Sequence, residues 1–291
     1  MIEYWRGQYI KFLNFKAAKI KMPFAMKKNK EYKKLLKQNA ELKNKHAGER
    51  CFILGNGPSL KNVDFNLLKG ENIISVNQIN RHPDFALLKP KYHFWADASF
   101  FKFEEHEADE LLEIMRGINK YNTPKCFFPI EQLAVIKKYR LDEELDVAFF
   151  DDKLIFYDNY KADIDFAGVV PAFSTVIQYC IILAVYMGFK EIYLLGCDNT
   201  SILVNIQSAL DTEGEHFDYA YEVNEVEKKR MRRIVEDNSL EAYARTYYET
   251  FKLYRELFHY CQSKNITLVN CSTQTVIDSI PRKKLEDVIK K

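Results

Sequence analysis

The sequence predicts an α/β protein: a doubly wound, mainly parallel sheet with a lid insertion, preceded by a basic helical N-terminal arm. Two patterns predict it. Apolar runs of strand length alternate with helical stretches, and the crossovers run to a dozen residues or more, as parallel pairing requires. Four of those runs also stop abruptly on polar or glycine residues: 55–59, Asn77-Gln78, Asp97 and Asp198. In an open α/β sheet these carboxyl ends share one edge, where ligands dock.

The first strong strand is 51–54, and it runs into Gly55-Asn56-Gly57-Pro58-Ser59. Glycines there let main chain approach a ligand closely; Asn56 both donates and accepts, and Ser59 can cap the next turn. A short helix near 64–68 leads to strand 72–76, and a third strand spans 91–96. Helix 105–118, strand 125–128 and helix 131–139 follow, with one or two short strands in 147–158. The stretch 173–187 is apolar on all sides, is capped by Ser174 or Thr175 and closes at Gly188, which places it against the middle of the sheet. Strand 191–198 ends at Asp198; 199–221 reads as a polar, loop-like lid. One or two helices over 222–261, a last strand at 266–270 and a helical turn at 285–289 complete the chain.

Hydrophobic residues at 47% with 29% charged describe a globular chain, not a disordered one. The charge is lopsided: residues 1–50 hold 14 Lys/Arg against 4 Asp/Glu, while the whole chain is only +2. A basic arm on a mildly acidic body suits an anionic surface and gives the body no nucleic-acid character. Within 1–26, Ile2, Trp5, Tyr9, Phe12, Leu13 and Ile20 share a broad helical face beside Arg6, Lys11 and Lys19. That composition fits a helix in a membrane interface, or equally one packed on the body or on a second subunit. Residues 27–50 read as a solvated connector with a thin seam of Tyr32, Leu35, Leu36 and Leu42. The six cysteines are scattered without a Cys-x-x-Cys pair, the pattern of reduced, buried thiols in a cytosolic protein. No run reaches the length of a membrane span, and no signal-peptide core stands at the start.

Three sets of residues are candidates for chemistry. The strand-exit rim is the first, a cradle for a nucleotide. The second is Gly214-Glu215-His216-Phe217-Asp218-Tyr219-Ala220-Tyr221, where His216 could act as general base and the tyrosines Tyr219 and Tyr221 could donate to a leaving phosphate. The third, Asp163-Ile164-Asp165, imitates a metal-binding Asp-x-Asp but does not follow an apolar strand. Zinc is not expected, since no Cys/His set has ligand spacing.

Phe52-Ile53-Leu54-Gly55-Asn56-Gly57-Pro58-Ser59-Leu60, Asn77-Gln78 and Gly188-Phe189-Lys190-Glu191-Ile192-Tyr193-Leu194-Leu195-Gly196-Cys197-Asp198 resemble the bacterial sialyltransferases that finish lipooligosaccharides. With His216-Phe217 and the tail 270–282, they are also similar to the 6-hydroxymethylpterin pyrophosphokinase-like family. The sialyltransferase resemblance covers about 50–282. It implies a Rossmann-like, metal-independent enzyme using a CMP-activated sugar, with no cofactor. Donor contacts would fall on Gly55, Asn56, Gly57, Pro58, Ser59, Asn77, Asp97, Asp198 and on Ser174 or Thr175. Its lid histidine maps to His216; His93, His106 and His259 sit in a strand or helices, and His46 and His82 lie elsewhere. The family's tyrosine after the strand aspartate is replaced by Asn199-Thr200, so Tyr219 or Tyr221 would have to stabilise the leaving phosphate.

The expected organisation is a 1–49 arm, a 50–282 nucleotide-sugar-binding catalytic domain with its lid at about 199–221, and a 283–291 tail. The expected activity is transfer of a sugar, CMP-linked by preference, to a cell-surface glycan or glycolipid. The expected location is cytoplasmic, with peripheral contact to the inner membrane face through 1–26, and a homo-oligomer is compatible with the chain. The alternative is a Mg²⁺-dependent pyrophosphokinase for a pterin alcohol, with Asp97 and Asp198 as ligands.

Overall fold

The computed structural model describes residues 30–97, 100–101, 105–211, 218–236 and 239–289. The arm expected at 1–26 and the base expected at His216 therefore lie outside the described residues. Among those described, the strands are β1 (Arg50–Leu54), β2 (Asn72–Val76), β3 (Tyr92–Phe94), β4 (Lys125–Pro129), β5 (Asp146–Ile155), β6 (Val169–Ala172), β7 (Glu191–Leu195) and β8 (Thr267–Asn270). The helices are α1 (Lys30–Gln38), α2 (Phe85–Leu88), α3 (Glu105–Arg116), α4 (Leu133–Lys138), α5 (Leu141–Glu144), α6 (Val176–Tyr186), α7 (Ser201–Leu210), α8 (Glu225–Glu236), α9 (Leu240–Ser263) and α10 (Leu285–Ile289).

The strands make one sheet in the order β6-β5-β4-β3-β2-β1-β7-β8, and every pairing is parallel. The doubly wound prediction holds. Strand residues divide between two apolar layers by the two-residue period. From β1, Cys51 and Ile53 face one layer and Phe52 and Leu54 the other; from β7, Ile192 and Leu194 oppose Tyr193 and Leu195. Burial on both faces explains why these strands read as continuous apolar runs.

Helix α6 carries the chain from β6, at one sheet edge, back to β7 beside β1. Its residues Cys180–Ala184 have no exposed surface. Thr175 is the N-cap; the Gln178 side chain accepts from the Ser174 and Thr175 backbone amides and donates to the Thr250 carbonyl of α9. Because β2–β6 extend to one side of β1 and β7–β8 to the other, the sheet reverses direction between β1 and β7. That is where an open α/β sheet leaves a crevice.

Three sequence expectations need correction. The 199–221 stretch is not all loop: 201–210 forms α7, because packing on α9, fixed by an Asn205–Tyr247 hydrogen bond of 2.8 Å, overrides the weak helical signal of its Ser and Asn residues. The single strand β5 replaces the one or two short strands expected, and β6 had no sequence signal, since Pro171 lies within it; proline is tolerated there because β6 is an edge strand. The described part of the supposed connector is built into the core. Leu36 is wholly buried in one layer and Leu42 in the other, and between them Asn39 donates to the carbonyls of Phe149 (2.7 Å) and Phe166 (2.9 Å).

All six cysteines are buried and free, and burial pushes the Cys261 and Cys271 thiols up to about 12. No helix among the described residues is long and apolar enough to cross a membrane. The Asn39 contact supplies a prediction: Asn39→Ala orphans two buried carbonyls and should lower unfolding stability by about 1–3 kcal/mol. Urea titration measures it, and a midpoint equal to that of the native protein would return 30–49 to the role of connector.

Candidate functional site

At the switch point the exits of β1 and β7 touch. The Gly55 amide donates to the Leu195 carbonyl and the Gly57 amide to the Gly196 carbonyl, both at 2.8 Å. A Cβ on Gly55 would lie 2.3 Å from the Gly196 oxygen, and one on Gly57 2.5 Å from the Asp198 carboxyl carbon. Gly196 itself has φ +60°, and its missing Cβ would strike Leu60 at 2.5 Å. No side chain fits in this contact, so the turn presents bare backbone to the space above it.

Asp198 is fixed from below. The Ser59 amide donates to its Oδ2 at 2.8 Å and the Ser59 hydroxyl to its Oδ1 at 2.5 Å. Burial holds the Asp198 carboxyl above the usual aspartate range; the two bonds from Ser59 oppose that shift and the nearby Asp218 adds to it.

The space above is a cleft of about 450 Å³. One wall consists of strand exits: Gly55, Asn56, Gly57, Pro58, Asn77, Asp97, Asp198 and Asn199, with Ser174 and Thr175 at the head of α6. Asn77 (φ 48°) and Asn199 (φ 55°) both stand in the left-handed region that non-glycine residues rarely adopt. Asn56 Oδ1, Asn77 Oδ1 and Asn199 Nδ2 are buried and have no hydrogen-bond partner among the described residues. Three unpaired amide atoms on one wall are an uncommon concentration, since buried polar groups are normally paired.

Residues 218–221 close one end. The Ala220 amide donates to the Asn56 carbonyl at 3.0 Å, and Lys61 pairs with Asp218 at 2.5 Å. The Tyr219 and Tyr221 rings stack with centroids 5.5 Å apart. Behind Tyr221, the Arg81 guanidinium lies 4.6 Å from the ring centre, pairs with Glu227 and donates to the Glu222 carbonyl at 2.6 Å. The Tyr221 hydroxyl donates to Glu227 at 3.1 Å, and burial and that carboxylate push its pKa well up. Tyr221 is therefore a proton holder at neutral pH, anchored to the Arg81–Glu227 pair.

With this geometry in hand, comparison with known proteins is informative. The model of the family described as 6-hydroxymethylpterin diphosphokinase MptE-like matches residues 25–201. The chain belongs to that family. The match runs from before α1 to the first residue of α7, so it contains every strand exit on the first wall. Among solved structures, the chain is similar to the sialyltransferase CstII from Campylobacter jejuni in complex with a substrate analogue, cytidine-5'-monophosphate. The TM-score is 0.43 and the identity 16%, over 82% of this chain and 86% of that one. No curated protein matches.

The MptE-like chain thus brings Gly55, Asn56, Gly57, Pro58, Asn77, Asp97, Ser174, Thr175, Asp198, Tyr219 and Tyr221 to one cleft. Ser59 is the exception. It is buried beneath Asp198 and does not line the cleft, so its role is to orient that carboxylate. Asp163, left aside on sequence grounds, pairs with Lys264 at 2.5 Å on the surface. Sequence reasoning missed the opposite wall: Val204 and Asn205 of α7, Glu227 and Met231 of α8, and Tyr243, Thr246, Tyr247, Thr250 and Tyr254 of α9. Its one legible signal was the four-residue spacing of Tyr243, Tyr247 and Phe251.

Ser59→Ala tests the seat of Asp198. Without the hydroxyl, burial acts less opposed and the carboxyl pKa climbs further. The variant should match the native protein in acid, where Asp198 is protonated in both. It should lose about 1–3 kcal/mol as pH rises through the native pKa to neutrality. Urea unfolding across that range checks it; a deficit independent of pH would mean that Ser59 acts by packing alone.

Proposed function

We infer that this chain is a glycosyltransferase that takes a sugar from a nucleotide-activated donor, CMP-linked by preference, and passes it to a hydroxyl of a glycan acceptor. The observation that carries the reading is the strand-exit wall: bare backbone at Gly55 and Gly57 beside the three unpaired amide atoms of Asn56, Asn77 and Asn199. A carboxamide both donates and accepts, so these three side chains, turned toward a ligand, suit ribose hydroxyls, an exocyclic base amine and a phosphate oxygen. Charge narrows the choice of donor. Among its described residues the cleft is lined by Asp97, Asp198, Asp218 and Glu227 and by no lysine or arginine. A di- or triphosphate would find no cation on this described lining to pair with, whereas a sugar-linked monophosphate brings a single negative charge.

In this reading the acceptor hydroxyl attacks the anomeric carbon of the donor, the bond from that carbon to the phosphate oxygen breaks, and the nucleotide leaves. His216, two residues before Asp218 in the chain, takes the acceptor proton as general base, which is worth roughly 10²–10⁴ in rate. Tyr219 and the Asn199 amide donate to the departing phosphate, while Tyr221 braces Tyr219 from behind. Asn56 and Asn77 hold the nucleoside; Ser174 and Thr175, at the head of α6, complete its seat. No metal or other cofactor is required.

The family description favours a second reading, diphosphate transfer from ATP to a pterin alcohol with Mg²⁺ on Asp97 and Asp198. Asp97 and Asp198 both line the cleft, but both Asp198 oxygens already accept from Ser59, so an ion there would have to compete with those bonds, and the reading rests on the family description.

Thermal-shift titration with CMP, UDP, GDP and ATP, with and without chelator, separates the two. CMP should raise the melting point most and be indifferent to chelator, with Asn56→Ala cutting its affinity about tenfold. A shift by ATP alone that needs Mg²⁺ would replace the first reading with the second. His216→Ala should bind CMP as the native protein does and lose turnover by about 10²-fold or more. Turnover within a few-fold of native would remove His216 from the reaction.

A further inference from the structure

The wall of the cleft that faces the strand exits is aromatic and hydroxyl-rich. Tyr243, Tyr247 and Phe251 recur every four residues along α9, so their rings stand one above another on a single helix face. The Tyr243 and Tyr247 rings stack with centroids 6.5 Å apart and planes 28° apart; Tyr247 and Phe251 do so at 6.3 Å and 25°. Tyr243 and Tyr247 line the cleft, and both are only half-buried. Thr246 and Thr250 lie beside them on the same helix and on the cleft wall, and the Asn205 amide of α7 holds the Tyr247 hydroxyl at 2.8 Å.

A core role does not account for this ladder. Helix α9 buries Tyr254, Leu257, Tyr260 and Cys261 in its second half, which packs on the sheet, and Tyr243 and Tyr247 belong to the half that rises past the strand exits. Two broad apolar ring faces at a polar cleft, fringed by hydroxyl and amide groups, form a surface of known chemistry. A pyranose ring presents one face of C–H groups, whose positive polarisation meets the negative face of an aromatic ring, and an equatorial belt of hydroxyls that the fringe can bond.

We propose that Tyr243 and Tyr247 of α9 form a saccharide-stacking platform that binds the acceptor sugar opposite the nucleotide wall. The assignment rests on the glycosyltransferase reading for its biological sense, although the platform can be tested without turnover. It explains why the cleft has two chemically distinct walls: amides and backbone for a nucleotide, stacked rings and hydroxyls for an uncharged sugar. Tyr243 supplies the stacking face, Tyr247, held by Asn205, backs it, and the Thr246 hydroxyl, which donates to the Ala242 carbonyl, can accept at the rim.

The test is saturation-transfer NMR on the full chain with a panel of methyl glycosides of glucose, galactose, N-acetylglucosamine and N-acetylgalactosamine. It is run with and without CMP, and the nucleotide melting shift is recorded on the same samples. At least one glycoside should receive saturation on its ring C–H protons. Tyr243→Ala should weaken it about tenfold, and Tyr243→Phe, which keeps the ring face, should bind it nearly as the native protein does. Equal binding by Tyr243→Ala overturns the platform, as does a panel in which no glycoside binds or in which a pterin alcohol binds in their place. A missing nucleotide shift alongside intact glycoside binding would instead count against the nucleotide wall and leave the platform standing. A Tyr243→Ala protein that has lost its fold would show in the melting curve, and Thr246→Val, on the same cleft-lining face of the helix, then serves as the second variant, expected to weaken the glycoside by removing one hydroxyl.

Discussion

The structure depends on a contact without side chains. Where β1 and β7 end, Gly55, Gly57 and Gly196 allow two backbones to meet at distances that a single methyl group would forbid. The exits of β1 and β7 are positioned by that contact. It sets the turn at Gly55–Gly57 against the Asp198 strand exit and aligns Ser59 under the carboxylate. It also leaves the Asn56 carbonyl where the Ala220 amide reaches it. The sheet reversal makes the contact possible, because only at the switch point do neighbouring strands send their crossovers to opposite sides and leave room above the ends.

The electrostatic character of the site follows from the same frame. Asp198 is buried and raised in pKa, Asp218 is paired with Lys61 on the outside, and Glu227 is neutralised by Arg81 from behind. Among the described residues, therefore, Lys61 and Arg81 brace the walls and no lysine or arginine lines the cleft. A lining of this kind offers neutral amides and hydroxyls for directed hydrogen bonds.

Much of this was legible in the sequence, and the reason is physical. Strands buried on both faces have to be continuous apolar runs, and their exits have to turn, so β1, β2, β3 and β7 announced both themselves and the rim residues Asn56, Asn77, Asp97 and Asp198. Helix α6 was legible because a helix apolar on every side has only one place to go. What stayed hidden depended on partners distant in the chain. Pro171 disguised β6, whose place at the sheet edge excuses a missing amide. Helix α7 looked like loop until α9 packed beside it. Ser59 looked like a ligand contact, although its hydroxyl points to a carboxylate 139 positions away. Asn39 looked solvated, although its side chain joins two carbonyls more than a hundred positions on.

The family match stops at residue 201, where the last strand exit has been made and α7 begins. The strand-exit wall lies inside it and the wall of α7, α8 and α9 outside, apart from the first residue of α7. That division has a physical logic. A strand exit is fixed by sheet register on both sides and tolerates little change, so a seat built there persists wherever the fold does. A helix packed over the top is constrained only along its buried stripe, here Tyr254, Leu257, Tyr260 and Cys261, and its remaining face is open to variation. Tyr243 and Tyr247 occupy that open face. The free half of α9 is accordingly where new side chains cost the fold least and reach the cleft most directly.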